Sequence, residues 1–86
     1  MITGRQIRAA RGFLAWDRHN LAKKAVVTLY TIERLETGAE TSGARTNKAL
    51  TAIQATLEAE GIEFTDGAGV LGVLLHLKKG KARAKD

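Results

Sequence analysis

The stretch LAKKAVVTLYTIERLETG, residues 21–38, most constrains this chain, because it sets two short helical patterns around the pair Val26-Val27. Isolated helices shorter than roughly 12–15 residues are marginal in water, so both must be held by a shared core. Asp17 is suited to cap the first, in which Leu21, Ala22 and Ala25 form the inward stripe and Arg18, His19, Lys23 and Lys24 face out. Thr28 is suited to cap the second. There Ile32 and Leu35 point inward, Leu29, Tyr30, Glu33 and Arg34 point mostly outward, and Gly38 ends the run. For their length the two helices bury little.

The rest of the chain supplies what they pack on. Thr3 and Gln6 have the spacing of a capping box, opening a helix with Ile7, Ala10 and Leu14 on one face and Arg5, Arg8 and Arg11 elsewhere. GAETSGARTN, from Gly38 to Asn47, has the composition of a loop. A fourth helix is then expected, with Leu50, Ile53 and Leu57 at helical spacing, Ala49, Ala52 and Ala59 beside them, and Gly61 as its stop. Beyond it the texture turns to β: Ile62 and Phe64 alternate with polar neighbours, DGAG offers a turn, and Val70 to Leu77 reads as a second strand. The predicted architecture is mainly α, four helices followed by a C-terminal β-hairpin. It divides into a helical unit over residues 1–61, a hairpin over 62–77 and a basic, disordered tail over 78–86.

With 86 residues, 44% of them hydrophobic, the chain has material for one domain and one modest core. It has no cysteine, which excludes disulfides and thiolate metal sites and suits a reducing compartment. No apolar run approaches the roughly 18 residues that cross a bilayer, and the N-terminus lacks a signal peptide's organisation. A soluble, cytoplasmic protein is expected. Lys and Arg number 14 against 9 Asp and Glu, a net charge of +5 that favours polyanionic partners. Part of that excess, Lys78, Lys79, Lys81, Arg83 and Lys85, lies in the tail, which is either a solubilising end or a phosphate-contacting arm.

Enzyme chemistry finds little to use. There is no nucleophile elbow, no Gly-rich phosphate loop after a strand, and no His, Asp and Glu set at ligand spacing. GAGVLG fits a hairpin turn better than a dinucleotide site. His19 and His76 stand apart with no second metal ligand, so neither catalysis, metal nor cofactor is expected. Trp16, between helices one and two, reads as core packing.

A helix-turn-helix needs a small residue at the closest approach, apolar anchors on a common core and a short turn. Ala22 supplies the first, and Leu21, Val27, Ile32 and Leu35 the anchors. Through GRQIRAARGFLAW, NLAKKA and TIERLETG, residues 5–38 resemble the lambda-repressor-like, or XRE-type, helix-turn-helix regulators. The similarity runs more loosely to about Phe64, where TLEAEGIEF resembles short stand-alone members of that family.

The resemblance implies a sequence-specific, double-stranded DNA-binding transcriptional regulator whose recognition helix, residues 28–37, lies in the major groove. Leu29, Tyr30, Glu33 and Arg34 would then face bases. Arg34 suits guanine, Leu29 a thymine methyl, and Glu33 accepts from cytosine or pairs with a neighbouring Arg. Arg18, Thr28, Thr37 and Arg45 stand where relatives hold phosphates, and Arg11 with Glu36 where relatives join helices one and three by a salt bridge. Three departures accompany the match. Val26 occupies a turn position usually filled by Gly, so the turn either differs or is strained. Arg18 replaces a phosphate-holding Gln. The loop after helix three, often basic in relatives, carries Glu40 and only Arg45.

The second strand is apolar on both faces, Leu71, Val73, Leu75 and Leu77 on one and Val70, Gly72, Leu74 and His76 on the other. A domain this small covers one such face, and strands apolar on both normally lie inside something. The hairpin is therefore expected to pack on its own helices with one face and on a second copy with the other, the dimer contact falling on Leu71, Val73, Leu75 and Leu77. A homodimer suits a palindromic site. The competing reading is a protein-interaction module, anti-repressor or antitoxin-like, that keeps the fold and uses Leu29 and Tyr30 on another protein.

Overall fold

The computed structural model describes residues 2–39, 43–67 and 69–77. The expected tail, Glu40 and Ala68 of the DGAG turn lie outside them. Four helices, α1 (Gly4–Leu14), α2 (Arg18–Ala25), α3 (Leu29–Thr37) and α4 (Ala44–Glu58), precede an antiparallel hairpin of β1 (Ile62–Gly67) and β2 (Val70–Leu75). The protein is thus small and mainly helical with a C-terminal two-stranded hairpin. No helix among the described residues is long and apolar enough to cross a membrane.

Local chemistry places the first three helices as the sequence anticipates. Thr3 accepts from the Gln6 backbone N–H at 3.3 Å, while Gln6 Oε1 accepts from the Thr3 N–H at 2.9 Å. Asp17 accepts from the Asn20 N–H at 2.8 Å and Thr28 from the Thr31 N–H at 3.1 Å, so each following helix has an orphan donor satisfied. Gly38 closes α3 in the left-handed region, where glycine carries no steric penalty.

Ile7, Leu21, Ile32, Ile53 and Leu57 are the largest side chains with almost no solvent exposure, and they bring all four helices onto one core. Ile62 joins this core from β1, and Trp16, Phe64, Val73 and Leu75 pack against its edge. Gln6 does more than cap: its buried amide Nε2 donates to the Thr65 carbonyl at 3.0 Å and the Gly72 carbonyl at 3.1 Å, tying α1 to both strands.

Three expectations need correction. Helix α4 begins at Ala44, so Ala44 to Asn47, expected in a loop, form its first turn, with Asn47 N–H bonded to the Gly43 carbonyl at 2.8 Å. Its N-cap is Gly43, which offers no side-chain signal, and Thr46 is buried against the rest of the protein, so packing overrides the loop-like composition. Strand β2 ends at Leu75 instead of Leu77. Finally, Val73 and Leu75, assigned to a partner, pack on the chain's own core. Residues directly opposed in an antiparallel pair share a face, and Leu75 and Val73 oppose Ile62 and Phe64. The outward face therefore carries Val70 and Leu74, 64% and 49% exposed, with Glu63 and His76 joined at 2.6 Å beside them. Leu71 stays 46% exposed near Ile2, Leu35 and Leu50, and Leu77 lies past the strand end, exposed.

The turn between α2 and α3 is strained. Val26 sits at φ 58°, ψ 48°, with its N–H on the Ala22 and Lys23 carbonyls, and its side chain is 88% exposed. The left-handed conformation costs an L-residue about 1–2 kcal/mol, and no burial offsets it here. Val26→Gly should therefore raise stability by about 1 kcal/mol after the looser unfolded chain is allowed for. In a thermal melt that is about 4–8 °C for a domain this size; an unchanged or lower midpoint would show the turn to be unstrained.

Candidate nucleic-acid interface

Helix α3 is held by a charged bridge on its inner side. The Glu36 side chain is fully buried, and Arg11 grips it in a fork, Nε to Oε2 at 2.7 Å and Nη2 to Oε1 at 2.8 Å. Arg18 adds a third bond, Nε to Oε1 at 3.1 Å. Burial pushes the Glu36 carboxyl up, but the hydrogen bonds and charges of Arg11 and Arg18 outweigh that and hold it below the ordinary carboxylate value. The bond to Glu36 correspondingly raises Arg11. One carboxylate on α3 thus fastens α1 and α2, and Arg11 Nη1 also donates to the Trp16 carbonyl at 3.1 Å. The expected pair between helices one and three is present, with Arg18 as an unanticipated third member.

This changes what Arg18 offers. Its Nε is committed to Glu36, and its side chain is 37% exposed, so only the outer edge of the guanidinium faces solvent. Thr28 uses its hydroxyl on the α3 cap and on Thr31 Oγ1 at 2.9 Å. Thr37 Oγ1 donates to the Arg34 carbonyl within its own helix at 3.3 Å.

On the outer side of α3, Tyr30 is 65% exposed, Glu33 is exposed and Leu29 is half-buried. Arg34 lies over the Tyr30 ring, 5.3 Å from its centroid, and donates from Nη1 to the Tyr30 hydroxyl at 3.1 Å and from Nη2 to the Ala39 carbonyl at 3.4 Å. The two side chains form one stacked unit, so the guanidinium is oriented before anything binds.

The structure brings Thr28, Tyr30, Arg34 and Arg45 to the lining of a single groove of about 610 Å³ between α3 and α4. Arg18, Leu29, Glu33 and Thr37 do not line it. Lys48 does, and sequence reasoning missed it. Its signal was present: Arg45, Lys48, Ala49 and Ala52 recur at i, i+3, i+4 and i+7, one stripe of a helix, but only when that helix starts ahead of Arg45.

No family model matches the chain, and comparison with curated proteins finds no match. Its class rests on the geometry alone: a helical domain presenting one braced helix, with cations and an aromatic ring on the solvent side.

Proposed function

We propose that this is a lambda-repressor-like helix-turn-helix protein that binds duplex DNA sequence-specifically and regulates transcription in the cytoplasm, with residues 28–37 in the major groove. The observation that carries this reading is the division of α3: Ile32, Leu35 and Glu36 are buried, whereas Tyr30 and Glu33 face out. Glu36 locks the inner side to two other helices, so the outer side is a rigid edge. Arg34 and Tyr30 read bases, Leu29 and Glu33 flank them, and Arg45, Lys48, Thr28 and the outer edge of Arg18 take phosphates, whereas Thr37 spends its hydroxyl proton inside its own helix.

The test is selection of bound sequences from a random duplex pool, followed by affinity measurement across salt. Affinity should fall steeply as salt rises, because each phosphate contact releases counterions. Arg34→Ala should relax preference at one base pair by about 1–3 kcal/mol, whereas Arg45→Ala should weaken all sequences alike and flatten the salt slope by about one. Absence of salt-dependent duplex binding would overturn the reading in favour of an anti-repressor or antitoxin-like interaction module.

The reading includes a homodimer on a palindromic site, formed through the outward hairpin face with Val70 and Leu74 at its centre, supported by their exposure. Leu74→Glu should convert a dimer to a monomer in sedimentation experiments and weaken operator binding, because two half-sites then bind separately. A mass unchanged by that substitution would place the contact elsewhere.

A further inference from the structure

The groove between α3 and α4 has a second property that base and phosphate contacts do not use. Its floor is apolar, built from Val27, Leu35, Ala49 and Ala52, with the exposed Val26 at the rim and the Tyr30 ring beside it. Arg45 and Lys48 stand on its α4 side, both exposed, and neither has an ion-pair partner among the described residues. No Asp or Glu lines it. The N-terminal end of α4, which carries Arg45, adds positive partial charge to the same end of the groove. A volume of about 610 Å³ lies in the range of small-molecule sites, roughly 300–1,000 Å³.

We propose that this groove is a binding site for a small amphiphilic organic anion, an aromatic or short acyl carboxylate, with its apolar body on Val27, Leu35, Ala49 and Ala52 and its carboxylate on Arg45 and Lys48. A bare phosphate satisfies the cations and leaves the floor uncovered. A neutral apolar molecule covers the floor and leaves the cations unused. Only a molecule with both parts complements the whole surface, and each part adds an independent gain. Because Tyr30, Arg34 and Arg45 belong also to the proposed DNA edge, the bound anion and duplex DNA exclude one another. That coupling, and not the site itself, rests on the DNA reading.

The experiment is a titration of the full chain with 1-naphthoate, followed by amide chemical shifts, beside 1-naphthalenemethanol and 1-naphthylmethylammonium as neutral and cationic isosteres. Naphthoate should give saturable shifts concentrated at residues 26–31 and 44–52, and should bind about tenfold more tightly than the alcohol, the factor given by one charge-assisted contact of about 1.4 kcal/mol. The ammonium should not bind. Arg45→Gln with Lys48→Gln, both at exposed positions, should remove most of the difference between naphthoate and the alcohol, and Ala52→Glu should abolish naphthoate binding with the thermal midpoint retained. Equal binding of the three isosteres, no saturable shift, or shifts centred on the hairpin would overturn the proposal. An acidic amphipathic peptide that shifts the same amides at a hundredfold lower concentration would reassign the groove to a protein partner. Competition with labelled duplex is scored separately. Naphthoate binding without DNA displacement keeps the site and removes the coupling, while loss of DNA binding in untreated protein counts against the DNA reading alone.

Discussion

Glu36→Ala should destabilise the fold by about 3–5 kcal/mol, because it leaves two guanidinium groups facing a buried position with no counter-charge. The whole stability of an 86-residue domain is on the order of 4–13 kcal/mol, so the variant should be largely unfolded at physiological temperature or melt far below the parent. Lost packing alone predicts something else, since Glu36→Met, which refills the volume but leaves both guanidinium groups unpaired, would then restore most of the stability by itself. The variant with Met at all three positions, Arg11, Arg18 and Glu36, should instead recover much of the loss, because the penalty comes from unpaired charge and not from missing volume. Urea midpoints of the single and triple variants decide between the two accounts.

The same carboxylate sets a pH dependence whose sign follows from linkage. The folded protein holds the Glu36 carboxyl below its ordinary value of 4.5, so the unfolded chain binds its proton more readily. Its stabilisation is fully present above that ordinary value and is lost as pH falls through the depressed folded one. The urea midpoint should decline as the pH falls below the ordinary carboxylate value of 4.5, with a shallower decline in Glu36→Gln. Equal slopes in parent and variant would assign the acid sensitivity to other carboxylates.

The second large effect is expected at Gly4. Glycine in a helix costs about 1 kcal/mol relative to Ala, so propensity alone predicts that Gly4→Ala stabilises α1. The structure reverses the sign. A Cβ at Gly4 would lie 2.0 Å from the Leu35 carbonyl oxygen and 2.9 Å from the Glu36 Cα, both backbone atoms near the end of α3. Neither can rotate away, so α1 must shift off α3, at a cost of about 3 kcal/mol, the upper end of ordinary overpacking. Gly12, in the same helix, has open space where its Cβ would be. Gly12→Ala should therefore stabilise by about 1 kcal/mol, and opposite signs for the two substitutions in one set of melts are the expected result. Two substitutions of the same sign would mean that the contact at Gly4 is slack.

How much of this was legible in the sequence depends on the range of the interaction that decides it. The caps at Thr3, Asp17 and Thr28 and the stop at Gly38 were readable because each is settled within about four residues. So were the inward stripes of Leu21 with Ala25 and of Ile32 with Leu35, which follow from helical periodicity. The start of α4 was not, since Gly43 offers no side-chain signal and Thr46 is held by the rest of the protein. That error hid the stripe that joins Arg45 to Lys48.

By itself, then, the sequence determined the order and kind of the elements and which side of α3 faces out, because capping and periodicity are local and each residue carries its part of the signal. Only the tertiary structure decided that Val73 and Leu75 face inward while Val70 and Leu74 face out, since a strand apolar on both faces has no preferred side until a core is placed against it. It also decided that Arg18 joins Arg11 on Glu36, and that Gly4 admits the backbone of α3. These contacts join residues 18 to 32 positions apart, and their energies depend on distances of a few ångströms that no local pattern fixes.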